Sequence, residues 1–219
     1  MIMHSKGIKI ILSSLFVLGT LFSIPVDDAS AHSKTVEAGD RYGYVWDLQH
    51  RLQQLGYLKE DMDGIFGVDT EQAVIHFQQD FGLKVDGIAG HLTWNQLYQQ
   101  TFSVNEIQMM AQMVHGEARG EPFKGKVAVA AVIINRVQSN DFPDTVKGVL
   151  FENRAFTAVA DGQYYMSPER GAYRAVYNAI QGWDPTESAV FYFNPNTATS
   201  DWIWSQTQTT KIGKHIFAK

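Results

Sequence analysis

The chain has 219 residues, of which 45% are hydrophobic and 19% are charged, and its formal net charge is −5. This length and apolar content suffice for two modest domains, each with its own core. The sequence contains no cluster of basic residues, which argues against nucleic acid as a partner. Because the sequence has no cysteine, it offers no disulfide bonds, cysteine nucleophiles or thiolate metal sites.

Residues 1–31 have the pattern of a secretory signal peptide. Lys6 and Lys9 supply the positive region, and residues 10–24 form an apolar segment. That segment is shorter than the ~20 residues that a transmembrane helix needs. Residues 29–31 (ASA) offer a small-residue cleavage site. We therefore expect export across the membrane, with an uncleaved N-terminal anchor as the alternative.

Residues 38–100 contain a weak internal repeat. Residues 63–67 (DGIFG) are echoed by residues 86–90 (DGIAG), and each copy places a glycine-rich turn before an apolar stripe of helical period. An earlier stripe contains Leu48 and Leu52. The pattern predicts a small bundle of three helices.

This segment resembles a known binding family. LQHRLQQLGYL and DGIFGVDTEQAVIHFQQDFGLKVDGIAGHLTWNQL are similar to the peptidoglycan-binding type 1 family over its whole length. The resemblance implies non-catalytic docking on the glycan and peptide of a cell wall. We expect most of the large aromatic residues here, Phe77, Phe81 and Trp94, to lie in the core.

Residues 103–219 begin with a helix pattern that ends at a carboxylate. Ser103 and Glu106 have the spacing of a capping box, and the apolar stripe that follows leads on to Glu117. A carboxylate on an apolar stripe is costly to leave charged, which favours the protonated form that a general acid uses. Glu117 is therefore the candidate catalytic residue. The alternative is a glutamate that pairs with a neighbouring cation such as Arg119.

The rest of this segment predicts a helical scaffold with a small sheet late in the chain. KVAVAAVIINRV is apolar nearly all round, as in a buried central helix. Its last polar residues, Asn135 and Arg136, are predicted to cap it, with a position facing the site as the alternative. Residues 156–162 mix apolar and polar positions with a turn signal, which predicts a loop or an irregular hairpin. Residues 189–193 and 209–217 predict short strands.

Several blocks of this segment together resemble the spore cortex-lytic enzyme family, the SleB-type cell-wall hydrolases. They are HGEARGEPFKGKVAVAAVIINR, FTAVADGQYY, GWDP, FYFNPNTATSDWIW and IGKHIFAK. The resemblance implies a lysozyme-like core that cleaves the bond between N-acetylmuramic acid and N-acetylglucosamine in cortex peptidoglycan at germination, as a lytic transglycosylase. It makes Glu117 the catalytic glutamate.

A glycan substrate needs aromatic platforms and hydrogen-bond partners, and the sequence after residue 156 supplies both. The predicted substrate-binding residues are Thr157, Gln163, Tyr164, Tyr192, Asn194 and Trp204. For each aromatic residue of this set, core packing is an equally weighted alternative.

Two other chemistries stay open at this point. An ordinary glycosidase needs a second carboxylate, for which Glu121, Asp141, Asp161 and Asp184 are candidates. A zinc-dependent amidase or peptidase could use His115, Glu117, Glu121 and His215, although their spacing is not HExxH.

The complete prediction is an α+β protein with a signal peptide (1–31), a small three-helix peptidoglycan-binding bundle (38–100) and a mainly helical, lysozyme-like catalytic domain with a small antiparallel sheet (103–219). It is an exported, monomeric enzyme of the spore cortex or cell wall that needs no cofactor or metal. Its expected partner is peptidoglycan rather than nucleic acid, and a spore protein that stabilises or inhibits it is a further candidate partner.

Overall fold

The computed structural model describes residues 35–153 and 155–219. The chain divides into two compact units, one up to Thr101 and one from Phe102 onward. The predicted signal peptide lies outside the described residues. Within the described part of the chain, no helix is long and apolar enough to span a membrane.

The first unit is built on three helices, as predicted: α1 (Tyr44–Gln54), α2 (Val68–Asp80) and α3 (His91–Gln100). Their apolar stripes meet in one core, in which Leu48, Phe77 and Leu97 are fully buried. Trp94 is buried and Phe81 packs partly buried against the same core, as expected for both.

A buried glutamine holds each copy of the internal repeat together. In each copy the side-chain amide nitrogen lies within hydrogen-bonding distance of the turn aspartate, a carbonyl oxygen of the turn and a threonine of the next helix. The side-chain oxygen accepts a hydrogen bond from the backbone N–H of the turn glycine. The partners, at 2.9–3.1 Å, are Asp63, Ile65, Thr70 and Gly64 for Gln49, and Asp86, Ile88, Thr93 and Gly87 for Gln78.

The turn glycines are required by the backbone. Gly64 and Gly87 have φ values of 71° and 72°, in the left-handed region that L side chains rarely adopt. The two copies of the turn and their glutamines therefore fix where α2 and α3 begin.

Replacing Gln78 by Leu, which is similar in size but apolar, should destabilise the first unit by about 1–3 kcal/mol, because buried turn groups lose their partner. Native-state hydrogen exchange on the whole chain measures this in residues 44–100 separately from the second unit. Gln72→Leu is the matched control, since Gln72 is exposed on the same helix. Equal protection in the two variants would show that the glutamine clamp contributes no stability.

The second unit is mainly helical with one small sheet. Its elements are α4 (Val104–Glu117), α5 (Phe123–Gln138), α6 (Val146–Leu150), α7 (Thr157–Ala160), a 3₁₀ helix (Gln163–Tyr165), α8 (Arg170–Ile180), β1 (Phe191–Phe193), α9 (Asp201–Ser205), β2 (Gln208–Ile212) and β3 (His215–Ala218). Together with the bundle, this arrangement confirms the predicted α+β class.

The two helices at the centre of the unit form as the sequence predicts. The capping box of α4 is complete: Ser103 Oγ accepts from the Glu106 N–H at 3.2 Å, and the Glu106 carboxylate accepts from the Ser103 N–H at 2.8 Å. Helix α5 is buried along most of its length, with Val127 and Ile133 fully buried. These helices share a core with α6 and α8.

The three strands form an antiparallel sheet in the order β1-β3-β2. Tyr192 in β1 pairs with Phe217 in β3, and β2 and β3 are joined by a tight turn at Gly213, where φ is 57°. The predicted late sheet is therefore confirmed.

The prediction of a loop or hairpin at residues 156–162 is wrong. Residues 157–160 form the short helix α7, with Phe156 at its N-cap and Ala158 buried. Both residues join the core under α4, so tertiary packing decides this conformation rather than the local alternation of apolar and polar residues.

Candidate active site

The centre of the site is the carboxylate of Glu117, the last residue of α4. It is half-buried and accepts three hydrogen bonds. Oε1 accepts from the backbone N–H of Ala158 at 2.6 Å and from the Thr157 hydroxyl at 3.1 Å. Oε2 accepts from the Tyr192 hydroxyl at 2.8 Å.

The close approach of α7 to α4 depends on Gly116. A Cβ at this position would lie 2.6 Å from the Cβ of Ala158 and 3.4 Å from the backbone carbon of Gln163. No side chain larger than hydrogen fits there without a shift of α7. The glycine next to Glu117 therefore lets the start of α7 reach the carboxylate.

Tyr192 reaches Glu117 from the sheet. Its ring packs against Phe156, His215 and Phe217, with centroid distances of 6.4, 5.2 and 5.9 Å. Desolvation, together with the charge and the hydrogen bond of Glu117, raises the pKa of Tyr192 well above its ordinary value. The hydroxyl is therefore neutral and acts as a donor to the carboxylate.

The three donors around Glu117 act against the effect that the sequence predicts, in which an apolar stripe favours the protonated carboxyl. An apolar surrounding favours the protonated carboxyl, whereas hydrogen bonds donated to the carboxylate favour its ionised form. Glu117 has both influences around one group. Such a group can release a proton and afterwards be stabilised as the anion.

Two of the six predicted substrate-binding residues, Thr157 and Tyr192, contact Glu117 directly. The backbone of Gln163 lies near Gly116, and its side-chain amide nitrogen donates to the Asp161 carboxylate at 2.8 Å. Asn194 is half-buried, and its side-chain oxygen accepts from the Asn196 N–H at 3.0 Å in the turn that follows β1.

Tyr164 and Trp204 are not placed at the carboxylate. Tyr164 is 5% exposed and belongs to the core, which corresponds to the packing alternative. Trp204 packs edge-on against Phe193 at 4.8 Å. Because neighbouring residues of a strand point to opposite faces, Phe193 and this indole lie on the other face of β1 from the Tyr192 side chain.

Three of the four candidate second carboxylates, Glu121, Asp161 and Asp184, have structural partners. Glu121 is 8% exposed and accepts from the backbone N–H of Lys214 at 3.1 Å, so it holds the β2–β3 turn rather than pairing with Arg119 or Lys124. A Cβ at Gly213 would collide with its carboxylate, which explains the glycine in that turn.

Asp184 is similarly engaged. Its carboxylate accepts from Thr186, Ser188 and Asn135 at 2.6–3.1 Å. Burial acts to raise the pKa of Asp184, but these hydrogen bonds outweigh it and hold the pKa below its usual range. Asp161 accepts from the backbone and side chain of Gln163. Asp184 and Asp161 thus both stabilise local turns.

The zinc alternative finds no ligand set among the residues that the structure describes. Within residues 35–153 and 155–219, no group of three or more His, Cys, Asp or Glu side chains is arranged to hold a metal ion. His215 instead packs on the Tyr192 ring, and burial lowers its pKa, with the carboxylates of Glu121 and Glu117 acting against this effect.

The donor nearest to the Glu117 carboxylate could not be predicted from the sequence. It is the main-chain N–H of Ala158, and any residue except proline can supply that group. The only local signal is the small size of Ala158 and Gly116, which becomes meaningful once the two are known to touch.

Comparison with known proteins identifies the family of the chain. The Cell Wall Hydrolase family model matches residues 120–218, beginning just after Glu117, and the Putative peptidoglycan binding domain model matches residues 43–97. A spore cortex-lytic enzyme from Bacillus cereus is 45% identical over 90% of this chain and 91% of its own length. The chain belongs to the spore cortex-lytic enzyme family.

Solved structures cover the second unit. The catalytic domain of the Bacillus cereus SleB protein is 64% identical, with a TM-score of 0.53 over 54% of this chain and 93% of that domain. The catalytic domain of the germination-specific lytic transglycosylase SleB from Bacillus anthracis is 65% identical, with a TM-score of 0.52 over 54% of this chain and 97% of that domain.

Replacing Tyr192 by Phe should slow catalysis roughly 10- to 100-fold, because a hydrogen bond to a charged group contributes about 1.5–3 kcal/mol. Loss of this donor favours the protonated carboxyl, so the alkaline limb of the activity-versus-pH profile should move to higher pH. Turnover of purified cortex, followed across pH, measures both effects.

Tyr165→Phe is the control for this variant, because Tyr165 is 70% exposed and its hydroxyl is not a donor to Glu117. If Tyr192→Phe keeps the rate and pH profile of that control, the hydroxyl has no part in the reaction.

Proposed function

We propose that this chain cleaves the glycan strands of spore-cortex peptidoglycan as a lytic transglycosylase, with Glu117 as both general acid and general base. The observation that carries the proposal is the Glu117 carboxylate with three donors from α7 and β1. Membership of the spore cortex-lytic enzyme family and the SleB catalytic domain from Bacillus anthracis support the same reaction.

In the first step, protonated Glu117 gives its proton to the glycosidic oxygen between N-acetylmuramic acid and N-acetylglucosamine. The bond from C1 of the muramic sugar to that oxygen breaks, and the leaving sugar departs with its new hydroxyl. The negative charge that develops on Glu117 is stabilised by Ala158, Thr157 and Tyr192. Their donors are already in place, so this stabilisation requires little reorganisation.

In the second step, the Glu117 carboxylate takes the proton from the C6 hydroxyl of the muramic sugar as that oxygen attacks C1. The product is a 1,6-anhydromuramic end, and Glu117 is protonated again. No water is consumed and no second carboxylate takes part. An ordinary glycosidase would place another carboxylate about 5–10 Å away, as nucleophile or base.

The engagement of three of the four other candidate carboxylates supports the one-glutamate route. Glu121 and Asp184 are held by the backbone of nearby turns, and Asp161 is held by Gln163. The amidase or zinc-peptidase alternative lacks a ligand cluster among the described residues.

In this proposal Thr157 and Tyr192 act on the glutamate, whereas Gln163 and Asn194 contact the glycan. Tyr164 supports the core beneath α4, and the Trp204 indole lies on the far face of β1. The first unit docks on peptidoglycan, and the predicted signal peptide exports the enzyme to the cortex. Its monomeric state and a spore protein partner remain predictions.

Incubation of residues 32–219 with purified spore cortex, followed by mass spectrometry of the released muropeptides, tests this function. We expect fragments that carry anhydromuramic ends, because the C6 hydroxyl replaces water as the attacking group. Reducing ends would contradict the transglycosylase route and require a second carboxylate. Intact glycan with free peptides would identify an amidase and remove Glu117 from the centre of the reaction.

A further inference from the structure

Arg136 is a buried cation near the end of α5. It is 6% exposed, and a charge so deeply buried is costly unless its surroundings compensate for it. The sequence favours a helix cap at this position, with a side chain that faces the site as the alternative. The contacts of its guanidinium are more extensive than a cap requires.

The guanidinium lies among three aromatic rings. It stands over Phe142, Phe156 and Phe191, at 5.1, 5.0 and 5.9 Å from their centroids. Its Nε also donates to the carbonyl of Val190 at 2.7 Å. Cation–π contacts gain strength in such a desolvated position.

These contacts reach both segments that hold Glu117. Phe156 is the N-cap of α7 and directly precedes Thr157 and Ala158, which donate to Oε1. Val190 leads into β1, whose Tyr192 donates to Oε2. One side chain therefore touches the base of α7 and the start of β1.

The charge of Arg136 also acts on the site. Burial lowers the pKa of Arg136, and the negative charges of Glu152 and Glu117 act against this effect. Because this attraction is mutual, the Arg136 cation also favours the ionised form of Glu117.

We propose that Arg136 is a positioning residue that fixes α7 and β1 relative to each other, so that their three donors converge on Glu117, and that its charge lowers the cost of forming the Glu117 carboxylate. This inference rests on the proposed role of Glu117 and extends it to a residue that does not contact the substrate.

Arg136→Met tests the proposal in the mature chain, because methionine fills similar space without charge or donor. We expect kcat on purified cortex to fall at least tenfold while KM changes less than threefold. The alkaline limb of the pH profile should move to higher pH, because the protonated glutamate persists without the cation. Recording the same profile in a His215→Gln background separates this limb from His215, which packs on Tyr192.

Arg174→Met is the matched control. Arg174 also stands over an aromatic ring, Phe123 at 5.2 Å, but it lies on the exposed side of α8. This variant should keep the wild-type kcat and pH profile. Circular dichroism and thermal unfolding of each variant measure the folded fraction.

Arg136→Lys decides the case in which Arg136→Met does not fold. Lysine keeps the charge but loses the planar fork, so we expect a lower kcat with a pH limb close to that of the wild type. A folded Arg136 variant with the wild-type kcat overturns the proposal. So does a variant whose activity falls only in proportion to its folded fraction while the alkaline limb of its pH profile does not move. If the wild-type chain itself cleaves no glycan, the proposed function fails instead.

Discussion

The geometry of the site depends on the cost of placing one carboxylate in a half-buried position at the end of a core helix. The donors that meet this cost come from residues 40, 41 and 75 positions further along the chain. None of them can be supplied by α4 itself. The helices, the sheet and the buried face of α5 are therefore arranged so that α7 and β1 both arrive at Glu117, and the packing of the core is what keeps a reactive group in one geometry.

That geometry explains how one residue can serve two steps. Burial favours the protonated carboxyl, and each hydrogen bond to the anion opposes this by about 1.5–3 kcal/mol. The two effects therefore act in opposite directions on the same carboxyl. A fully exposed glutamate would be ionised and weak as an acid, whereas a fully buried one without donors would hold its proton too tightly to act as an acid. The close contact at Gly116 and the neutral hydroxyl of Tyr192 set this balance.

The sequence predicts local features of the fold well, but it predicts poorly which distant residues meet at the site. The period of α4 leads to Glu117, the repeated Asp-Gly turns mark the bundle, and the late apolar runs become the sheet. The prediction for residues 156–162 was wrong because α7 is stabilised by its packing under α4. Composition also could not distinguish Tyr164, which is buried, from Tyr192, which donates to the carboxylate, since both are tyrosines beside apolar residues. The Ala158 N–H has no side-chain signature at all.

The most direct test of the account is the rate at which Glu117→Gln releases anhydromuramic fragments from purified cortex. Glutamine keeps the shape of the side chain and can still accept from Tyr192 or Ala158, but it cannot donate and recover a catalytic proton. We expect a loss of about 10²–10⁴-fold, with wild-type thermal unfolding and undiminished binding to cortex. A folded Glu117→Gln variant that forms anhydromuramic ends within a few-fold of the wild-type rate would contradict the central role of this carboxylate.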